Sequence, residues 1–532
     1  MAKRVTRPYE PGRPLPLPAD LRLWLPADHL VYLLSDIVDQ LDLTPITGVY
    51  DQGDGGGNPP YHPVLLTKLV CYAYCQGVVS SRVIAAKTYE DVAFRVLTVD
   101  QHPNFRTISD FRERHLAALG DLFQQTVRLA GRLGLVKLEH VAQDGTKILA
   151  NASKHRAMSY ARMQQAEVRL SEEIRALLAA AQAADAAEDR QYGPEVTGEE
   201  LPIDLAGEVA ADARRAAVER RLATIRAAKA ALEEEAKAAA EAVREADQVE
   251  RQRRAEAGEP KKPGRPPEPA ELPKDSAQQN FTDPESRIMK NSDQAFVQAY
   301  NGQAAVDASG SQIIVGCALT NQSADAPQRE SMLEQVVTNT GGTPKEWSSD
   351  AGYFSAHNVA VLEQTGVAAF IPPGRQSHAT QPPPPGVAAV LAAAGLPTPE
   401  APEEPSPTGS VQAVMRATLA TPAGRAAYAK RKQTVEPVFG QIKACRGLRR
   451  FLLRGLRKVT GEWTLWCLTH NLRKLVQALR TSKMPRLDPT SAAPAPTTAG
   501  RPWTCRPPRS RRPSRLCPLR LHNHHSLAST LL

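Results

Sequence analysis

Residues 138–153, with the sequence LEHVAQDGTKILANAS, mark the point at which the pattern of this chain changes. Before this stretch apolar residues recur at helical spacing. Within it they alternate with polar residues around Asp144 and Gly145, as in a half-buried β-strand. An Asp-Gly pair is also a common hairpin turn, so Asp144 alone is weak evidence for a functional site. The change of period predicts a helical region followed by a region that contains a β-sheet.

The helical region comes before this stretch. Residues 1–26 are basic and rich in Pro, and they are predicted to form an extended lead. Residues 64–76 and 83–97 are apolar at helical spacing, and Thr107 is positioned to cap a further helix. The sequence therefore predicts a compact all-α domain over residues 27–135.

Two long helices are predicted after the strand. In the second helix, apolar residues occupy a and d positions of a heptad repeat, with a lapse at Lys229. These heptad positions hold Val218, Leu222, Ile225, Leu232, Ala236, Ala239 and Val243. A break at residues 193–205 lets the helices return on each other, so residues 160–255 are predicted to form an antiparallel coiled-coil hairpin. Because the Ala-rich seam is thin, two solvated helices that pack weakly are the alternative. Residues 256–279 are predicted to be a Pro-rich linker.

Regular structure is predicted to resume after this linker. Residues 296–306 and 312–319 have strand patterns, and a short strand ends at Asp350. With the intervening helices, the order is strand, strand, strand, helix, strand, helix, strand, helix, helix. This order predicts an α/β fold with a mixed-sheet core formed by residues 136–159 and 280–479, interrupted by the helical hairpin and preceded by the all-α domain.

A basic segment lies in the last part of this core. Residues 425–458 contain eleven Lys or Arg residues and one acid, Glu436. Clustered cations attract a nucleic-acid backbone, and a carboxylate among them is tolerated near phosphate when a divalent cation lies between them. The alternative is an acid at the start of a helix, because Pro437 suits the first helical position. With Asp144 and Asp350 on neighbouring strand ends, Glu436 could hold two divalent ions.

The overall composition sets limits on the class of protein. The chain has 532 residues, a net charge of +9 and seven Cys without a CxxC pair, and it has no long apolar run. A soluble intracellular protein is therefore expected. Residues 501–532 hold seven Arg and no acid, so the rest of the chain is close to neutral. Residues 373–410 are predicted to be an irregular insert, and residues 480–532 a disordered basic tail.

Several motifs, taken in order, resemble bacterial insertion-sequence transposases of the DDE type, most closely the 1182 group of insertion sequences. The motifs are FRTISDFRERH, QDGTKILANAS, DPESRIMK followed by AYNGQAAVD, SSDAGYFS, and YAKRKQTVEPVFGQIKACRGLRRFLLRG. The resemblance covers roughly residues 61–475 and implies a helical N-terminal domain before an RNase H-like catalytic core. It implies that Asp144, Asp350 and Glu436 bind two Mg²⁺ ions, for which Mn²⁺ would substitute.

The same resemblance implies roles for basic residues and partners. Tyr428, Arg431 and Lys443 match the Tyr, Arg and Lys that flank the catalytic Glu, but the spacing leaves Arg431 and Lys432 as alternatives for the Arg. The residues implied to contact DNA are Tyr428, Arg431, Lys432, Lys443, Arg446, Arg449, Arg450 and Arg454. The implied partner is double-stranded DNA, element ends and target, bound by a homodimer in the bacterial cytoplasm at the nucleoid, with residues 27–135 as the DNA-binding domain.

Two departures from the family pattern keep other functions open. Residues 374–410 are longer and richer in Pro than the pattern, and nothing after Ser482 resembles it. The alternatives are a decayed or regulatory DNA-binding relative, an RNase H-like nuclease without strand transfer, and a non-enzymatic scaffold. His140, His155 and His357 lie near the proposed acids in sequence and are interpreted as ordinary polar residues.

Overall fold

The computed structural model describes residues 20–50, 60–192, 205–256, 258, 268–291, 293–374 and 410–481. Nearly all of the predicted tail and of the predicted irregular insert lies outside these ranges, as do most of the N-terminal lead and the break inside the hairpin. Among the described helices, none combines the length and apolarity that crossing a membrane requires.

A six-stranded mixed sheet forms the centre of the fold. The described strands are β1 (His140–Leu149), β2 (Ala157–Ser159), β3 (Gln278–Asn280), β4 (Arg287–Lys290), β5 (Phe296–Asp307), β6 (Ile314–Thr320), β7 (Glu346–Ser348) and β8 (Ala368–Phe370). Strands β2 and β3 form a separate pair, and the other six form the sheet. Strand β5 pairs antiparallel with β1, β4 and β6, whereas β1, β7 and β8 are mutually parallel in that order. The α/β mixed sheet predicted from the order of elements is confirmed.

The described part of the chain contains fourteen α-helices. They are α1 (Leu30–Asp39), α2 (Thr44–Thr47), α3 (Pro63–Cys75), α4 (Ser81–Glu90), α5 (Val92–Leu97), α6 (Phe105–Arg114), α7 (Leu116–Arg132), α8 (Tyr160–Tyr192), α9 (Leu205–Glu256), α10 (Arg329–Thr340), α11 (Ala356–Gln364), α12 (Val411–Ala420), α13 (Pro422–Gly440) and α14 (Leu456–Thr481). Helix α13 packs across β1, β5 and β7, so its side chains reach the centre of the sheet.

The N-terminal helices share one hydrophobic core with the sheet. Helix α14 contacts α1, α3, α7 and strand β6, and its Trp463 and Trp466 are fully buried. Trp463 also donates a hydrogen bond of 3.1 Å from Nε1 to the carbonyl oxygen of Gln303 on β5. A buried Trp contributes a large apolar area to a core. Helix α14 therefore joins the all-α region to the sheet.

Helices α8 and α9 pack antiparallel to each other. Glu167 forms ion pairs of 2.9 Å with both Arg226 and Lys229, and Tyr160 donates a hydrogen bond of 2.7 Å to Glu233. The seam between the helices is apolar and includes Tyr160, Met163, Leu170, Leu222, Ile225 and Leu232. Exposed ion pairs contribute little to stability, so this seam carries the packing.

The predicted heptad positions are wrong beyond Leu232. Ala239 is exposed and Val243 is 56 % exposed, whereas Ala240 is buried. The reason is that α8 begins opposite Glu233, so α9 continues past its partner. That later part of α9 contacts the segment that returns to the sheet, through ion pairs of 2.6 Å from Arg244 to Glu271 and from Arg287 to Glu235. Its buried face follows the ordinary helical period.

The predicted start of the helix at Pro437 is also wrong. Helix α13 begins at Pro422, where Thr421 caps it by accepting a hydrogen bond from the Gly424 N–H, and Pro437 lies inside it. Proline removes one backbone donor and crowds the preceding turn, and the helix ends three residues later in a wider π-type turn over Gln441–Cys445. Glu436 therefore lies near the C-terminal end of α13, and its interpretation as a helix-start acid is excluded.

The docking of α13 gives a test of this arrangement. A Cβ atom at Gly424 would overlap the carbonyl oxygen of Thr418 and lie 3.1 Å from the Leu419 Cα, whereas nothing lies within 4 Å of one at Gly440. We expect Gly424→Ala to lower the free energy of unfolding by about 1–3 kcal/mol. Gly440→Ala, in the same helix, should raise it by about 0.5–1 kcal/mol. Urea unfolding measures both, and equal effects of the two substitutions would contradict the packing described.

Candidate active site

Two of the predicted acids lie side by side because of strand register. Strands β1 and β7 are parallel neighbours with Ala142 opposite Ser348. Asp144 and Asp350 each follow these partners by two residues, so they occupy equivalent places on adjacent chain segments. Asp350 caps a short turn by accepting a hydrogen bond of 3.0 Å from the Gly352 N–H. The sheet therefore brings together two carboxylates that are 206 residues apart in the sequence.

Helix α13 connects the third acid to this pair through Arg431. The Arg431 guanidinium lies 2.6 Å from Asp144 Oδ2 through Nη1 and 3.5 Å from Glu436 Oε1 through Nη2. The side chain of Arg431 is 9 % exposed and that of Glu436 is 51 % exposed. Lys432 is exposed to solvent. Of the two alternatives for the Arg position, Arg431 is thus the residue that contacts the acids.

Tyr428 and Lys443 complete the surroundings of these acids. The Tyr428 ring centre lies 5.8 Å from the guanidinium carbon of Arg431, one turn away on α13. Lys443 donates hydrogen bonds of 3.0 Å to Thr146 Oγ1 and 3.3 Å to the Lys147 carbonyl oxygen, both on β1. Its ammonium group is therefore held two residues along β1 from Asp144.

The carboxylates are in an environment that disfavours their charge. Burial raises the pKa of Asp144 to about 7, with further contributions from the charges of Asp350 and Asp325, although Arg431 opposes the shift. Burial also raises the pKa of Asp350, and the negative charge of Asp325 raises it further. Neighbouring carboxylates in a partly dry site repel each other, and a bound cation relieves that repulsion.

The donor set fits a hard divalent cation in chemistry and charge. Carboxylate oxygens are the ligands that Mg²⁺ and Mn²⁺ prefer. Within the described ranges, no three His, Cys, Asp or Glu side chains gather at metal-binding distance. The Arg431 guanidinium instead stands between Asp144 and Glu436 and supplies the positive charge there. A divalent ion on these acids would compete with that guanidinium.

The raised pKa of Asp144 predicts an unusual pH dependence of stability. An unfolded Asp releases its proton at about pH 3.9, whereas the folded protein keeps it to about pH 7. Between these values the folded state binds more protons, so the contribution of Asp144 to the free energy of unfolding falls as the pH rises, and it levels off above the folded pKa. In EDTA, wild type should lose a few kcal/mol more than Asp144→Asn between pH 4 and 7.5. Parallel urea-unfolding profiles for the two proteins would contradict this.

Arg446 does not belong to the solvent-facing basic surface, contrary to the prediction. Its guanidinium donates hydrogen bonds of 2.9 Å to Thr469 Oγ1 and 3.2 Å to the Trp466 carbonyl oxygen, and it lies 5.1 Å from the Trp466 ring centre. Burial lowers the pKa of Arg446 to about 10. The reason for the difference is the local turn, which directs this side chain under α14. Arg446 therefore supports packing and does not reach a phosphate.

The predicted phosphate ligands Arg449, Arg450 and Arg454 are exposed on the segment before α14. A buried acid holds the backbone of this segment. Glu462 accepts hydrogen bonds of 2.9–3.0 Å from the N–H groups of Leu452 and Leu453. We call residues 449–454 the basic loop. The Glu462 carboxylate thus fixes its backbone from inside, and the three Arg side chains are exposed, with Arg454 Nε also donating a hydrogen bond of 2.9 Å to the Asn151 carbonyl oxygen.

The three histidines near the acids have no direct contact with them. His140 is buried, with Nδ1 at 2.8 Å from Glu346 Oε2 and Nε2 at 2.8 Å from Ser348 Oγ, and burial lowers its pKa. His155 is exposed, and His357 forms an exposed pair with Glu330. Their interpretation as ordinary polar residues agrees with these contacts. Two further acids, Asp325 and Glu462, could not be identified from the sequence. The sequence shows Asp325 only as an acid just before a predicted helix, and Glu462 only as an acid within one.

Comparison with known families agrees with this site. A family model described as a transposase DDE domain matches residues 404–476, which include Tyr428, Arg431, Glu436 and Lys443. A second model, described as a transposase domain (DUF772), matches residues 19–114, which contain α1 to α6. No curated protein and no solved structure matches the chain significantly.

Both matched regions are similar to transposase domains, which implies, in general terms, a nucleic-acid phosphoryl-transfer enzyme. More narrowly, they indicate an insertion-sequence transposase of the DDE type, which confirms the resemblance found in the sequence motifs. Families of this type use a divalent metal ion.

Proposed function

We propose that this chain cuts the ends of its own insertion sequence and joins the freed ends to target DNA, as a member of the 1182 group. The observation that supports this most is the alignment of Asp144 with Asp350 across β1 and β7, together with the link from Asp144 to Glu436 through Arg431. Two acids on neighbouring central segments of the sheet and a third on a helix suit metal-assisted in-line displacement at phosphorus.

The fold suits the same proposal. The strand order, with β5 antiparallel to β1 and then β7 and β8 parallel to it, is consistent with an RNase H-like core. Helices α8 and α9 leave the core after β2 and return before β3, as a coiled-coil hairpin inserted into that core would. We further propose that residues 27–135 bind the element ends and that a homodimer forms on DNA.

Asp144, Asp350 and Glu436 would hold the divalent ions, Mg²⁺ or Mn²⁺. Such ions supply charge neutralisation and activation of the attacking oxygen when they are bound. The protein's own part is positioning. Lys443 presents its ammonium group beside the acids, and the basic loop presents cations that neutralise DNA phosphates without reading sequence. No side-chain nucleophile is needed for this reaction.

Metal binding separates this proposal from a non-enzymatic scaffold. Mn²⁺ that binds only the folded chain would raise its thermal stability, by about 2.7 kcal/mol at a hundred times the dissociation constant. We expect Mn²⁺ to raise the Tm of wild type and to have little effect on Asp144→Asn or Asp350→Asn. A scaffold without a metal site would show the same small effect in all three proteins. A nuclease or decayed relative would bind Mn²⁺ but would give no joined product.

A further inference from the structure

Asp325 is a fourth acid beside the site, and it lies between β6 and α10. Its Oδ1 accepts hydrogen bonds of 2.6 Å from Asn301 Nδ2 and 2.8 Å from Gln303 Nε2, and lies 3.3 Å from Lys147 Nζ. All three donors therefore use the same oxygen. Within the described part of the chain, Oδ2 accepts no hydrogen bond.

Two glycines show where these oxygens lie. A Cβ at Gly145, the residue after Asp144, would lie 2.8 Å from Asp325 Oδ1. A Cβ at Gly352 would lie 3.1 Å from Asp350 Oδ1 and 3.5 Å from Asp325 Oδ2. Only a residue without a side chain leaves this space open. Asp325 thus lies against both chain segments that carry the predicted acids, with Oδ2 on the side of Asp350.

An unpartnered buried oxygen points into the same space. Asn301 is fully buried, and its Nδ2 is bonded to Asp325 and to the Gln322 carbonyl oxygen. Its Oδ1 has no hydrogen-bond partner among the described residues, and it would lie 3.0 Å from a Cβ at Gly145. A buried acceptor without a donor is costly, and water in the shell of a bound cation supplies one.

The charges agree with this geometry. After burial, the largest contribution to the raised pKa of Asp350 is the charge of Asp325. Lys147 balances Asp325 only from the Oδ1 side, at 3.3 Å. An ion pair with Lys147 therefore accounts for one oxygen of Asp325 and leaves the other facing Asp350.

We propose that Asp325 is a fourth acid of the metal site, and that its Oδ2 is a ligand of a divalent cation shared with Asp350. This inference rests on the proposed function, because it concerns the same cations. It adds a ligand from the turn after β6 to those from β1, β7 and α13.

Mn²⁺ binding to the full chain, measured by calorimetry without DNA, tests this assignment. Asp325→Asn keeps an oxygen acceptor for Asn301 and Gln303 but removes the charge. We expect it to weaken Mn²⁺ binding about tenfold or more. Glu330→Gln makes the same change of charge at an exposed acid on α10 that pairs with His357, and it should bind Mn²⁺ as wild type does.

A second variant keeps the test valid if Asp325→Asn does not fold. Lys147→Met removes the cation that competes for Asp325, so tighter Mn²⁺ binding supports the proposal, and unchanged or weaker binding overturns it. If Asp325→Asn binds Mn²⁺ with wild-type affinity while Asp350→Asn does not bind it, the proposed role of Asp325 is overturned and the rest of the metal site stands. Wild-type affinity in Asp144→Asn and Asp350→Asn as well would overturn the metal site of the proposed function.

Discussion

Asp144→Asn, Asp350→Asn and Glu436→Gln will each abolish Mg²⁺-dependent cleavage of DNA that carries the element's ends. Each substitution keeps the size of the side chain and removes the charge that a divalent ion needs. Metal ions contribute several kcal/mol to the stabilisation of such transition states, so we expect cleavage to fall by about a thousandfold or more. The rate of nicking on a labelled end duplex, resolved on a denaturing gel, measures this loss.

Binding to the same duplex separates catalysis from recognition. The three variants should bind end DNA with affinities close to that of wild type, because the proposed DNA contacts come from residues 27–135, Lys443 and the basic loop and not from the acids. Glu139→Gln, at an exposed acid that pairs with Lys345 just before β1, is the matched control and should cleave normally. Normal cleavage by any one triad variant would remove that residue from the active site.

Replacing Arg449, Arg450 and Arg454 together by Gln will weaken DNA binding without regard to sequence. Each Arg that neutralises a phosphate adds roughly 0.9 to the slope of log K against log salt, so the slope should fall by about 2.7. The loss should be the same on random and on element-end duplexes, because phosphate contacts carry no sequence information. Binding titrations across a salt series measure both quantities.

A matched triple variant controls for net charge. Arg220, Arg221 and Lys237 are exposed on α9, away from the acids, and their replacement by Gln changes the total charge by the same amount. This control should retain most of the salt slope. A slope that falls equally in both triple variants would show that the basic loop has no special position on DNA.

The parts of the fold that depend on local pattern could be predicted from the sequence. Strand β1 has a clear alternation, and the short segment that ends at Asp350 is bounded by turn residues. Parallel pairing of their strands then aligns Asp144 with Asp350, because a single register fixes every residue along both strands. For this reason the mixed sheet and the pair of acids could be predicted from the sequence.

The features that depend on tertiary packing could not be predicted. Arg431 and Asp144 are 287 residues apart, and nothing near either residue indicates their contact. Arg446 has the same sequence environment as its exposed neighbours, yet it is buried under Trp466. Pro437 was misread because proline is common at the first helical position, whereas here the residues before it already form α13.

Asp325 shows the limit of reasoning from motifs. The turn after β6 holds a single acid in a polar stretch, which is typical of an ordinary loop. Its significance depends on Asn301 and Gln303, which lie two residues apart in the middle of β5. The side-chain amides of both residues donate hydrogen bonds to Asp325. Only the pairing of β5 with β1 places Gln303 opposite Gly145 and Asn301 opposite Lys147, so the fourth acid becomes visible only in the folded chain.

The joining of an element end to target DNA tests the central claim most directly. Purified full chain, Mg²⁺, a duplex that carries the terminal sequence flanking its own gene, and a supercoiled target plasmid would be incubated together. We predict plasmid covalently joined to the 3′ end of the transferred strand, with junctions at the element's terminal nucleotide. Joined product should be absent with Asp144→Asn. End DNA that is bound but never joined by wild type, in Mg²⁺ or in Mn²⁺, would contradict the account.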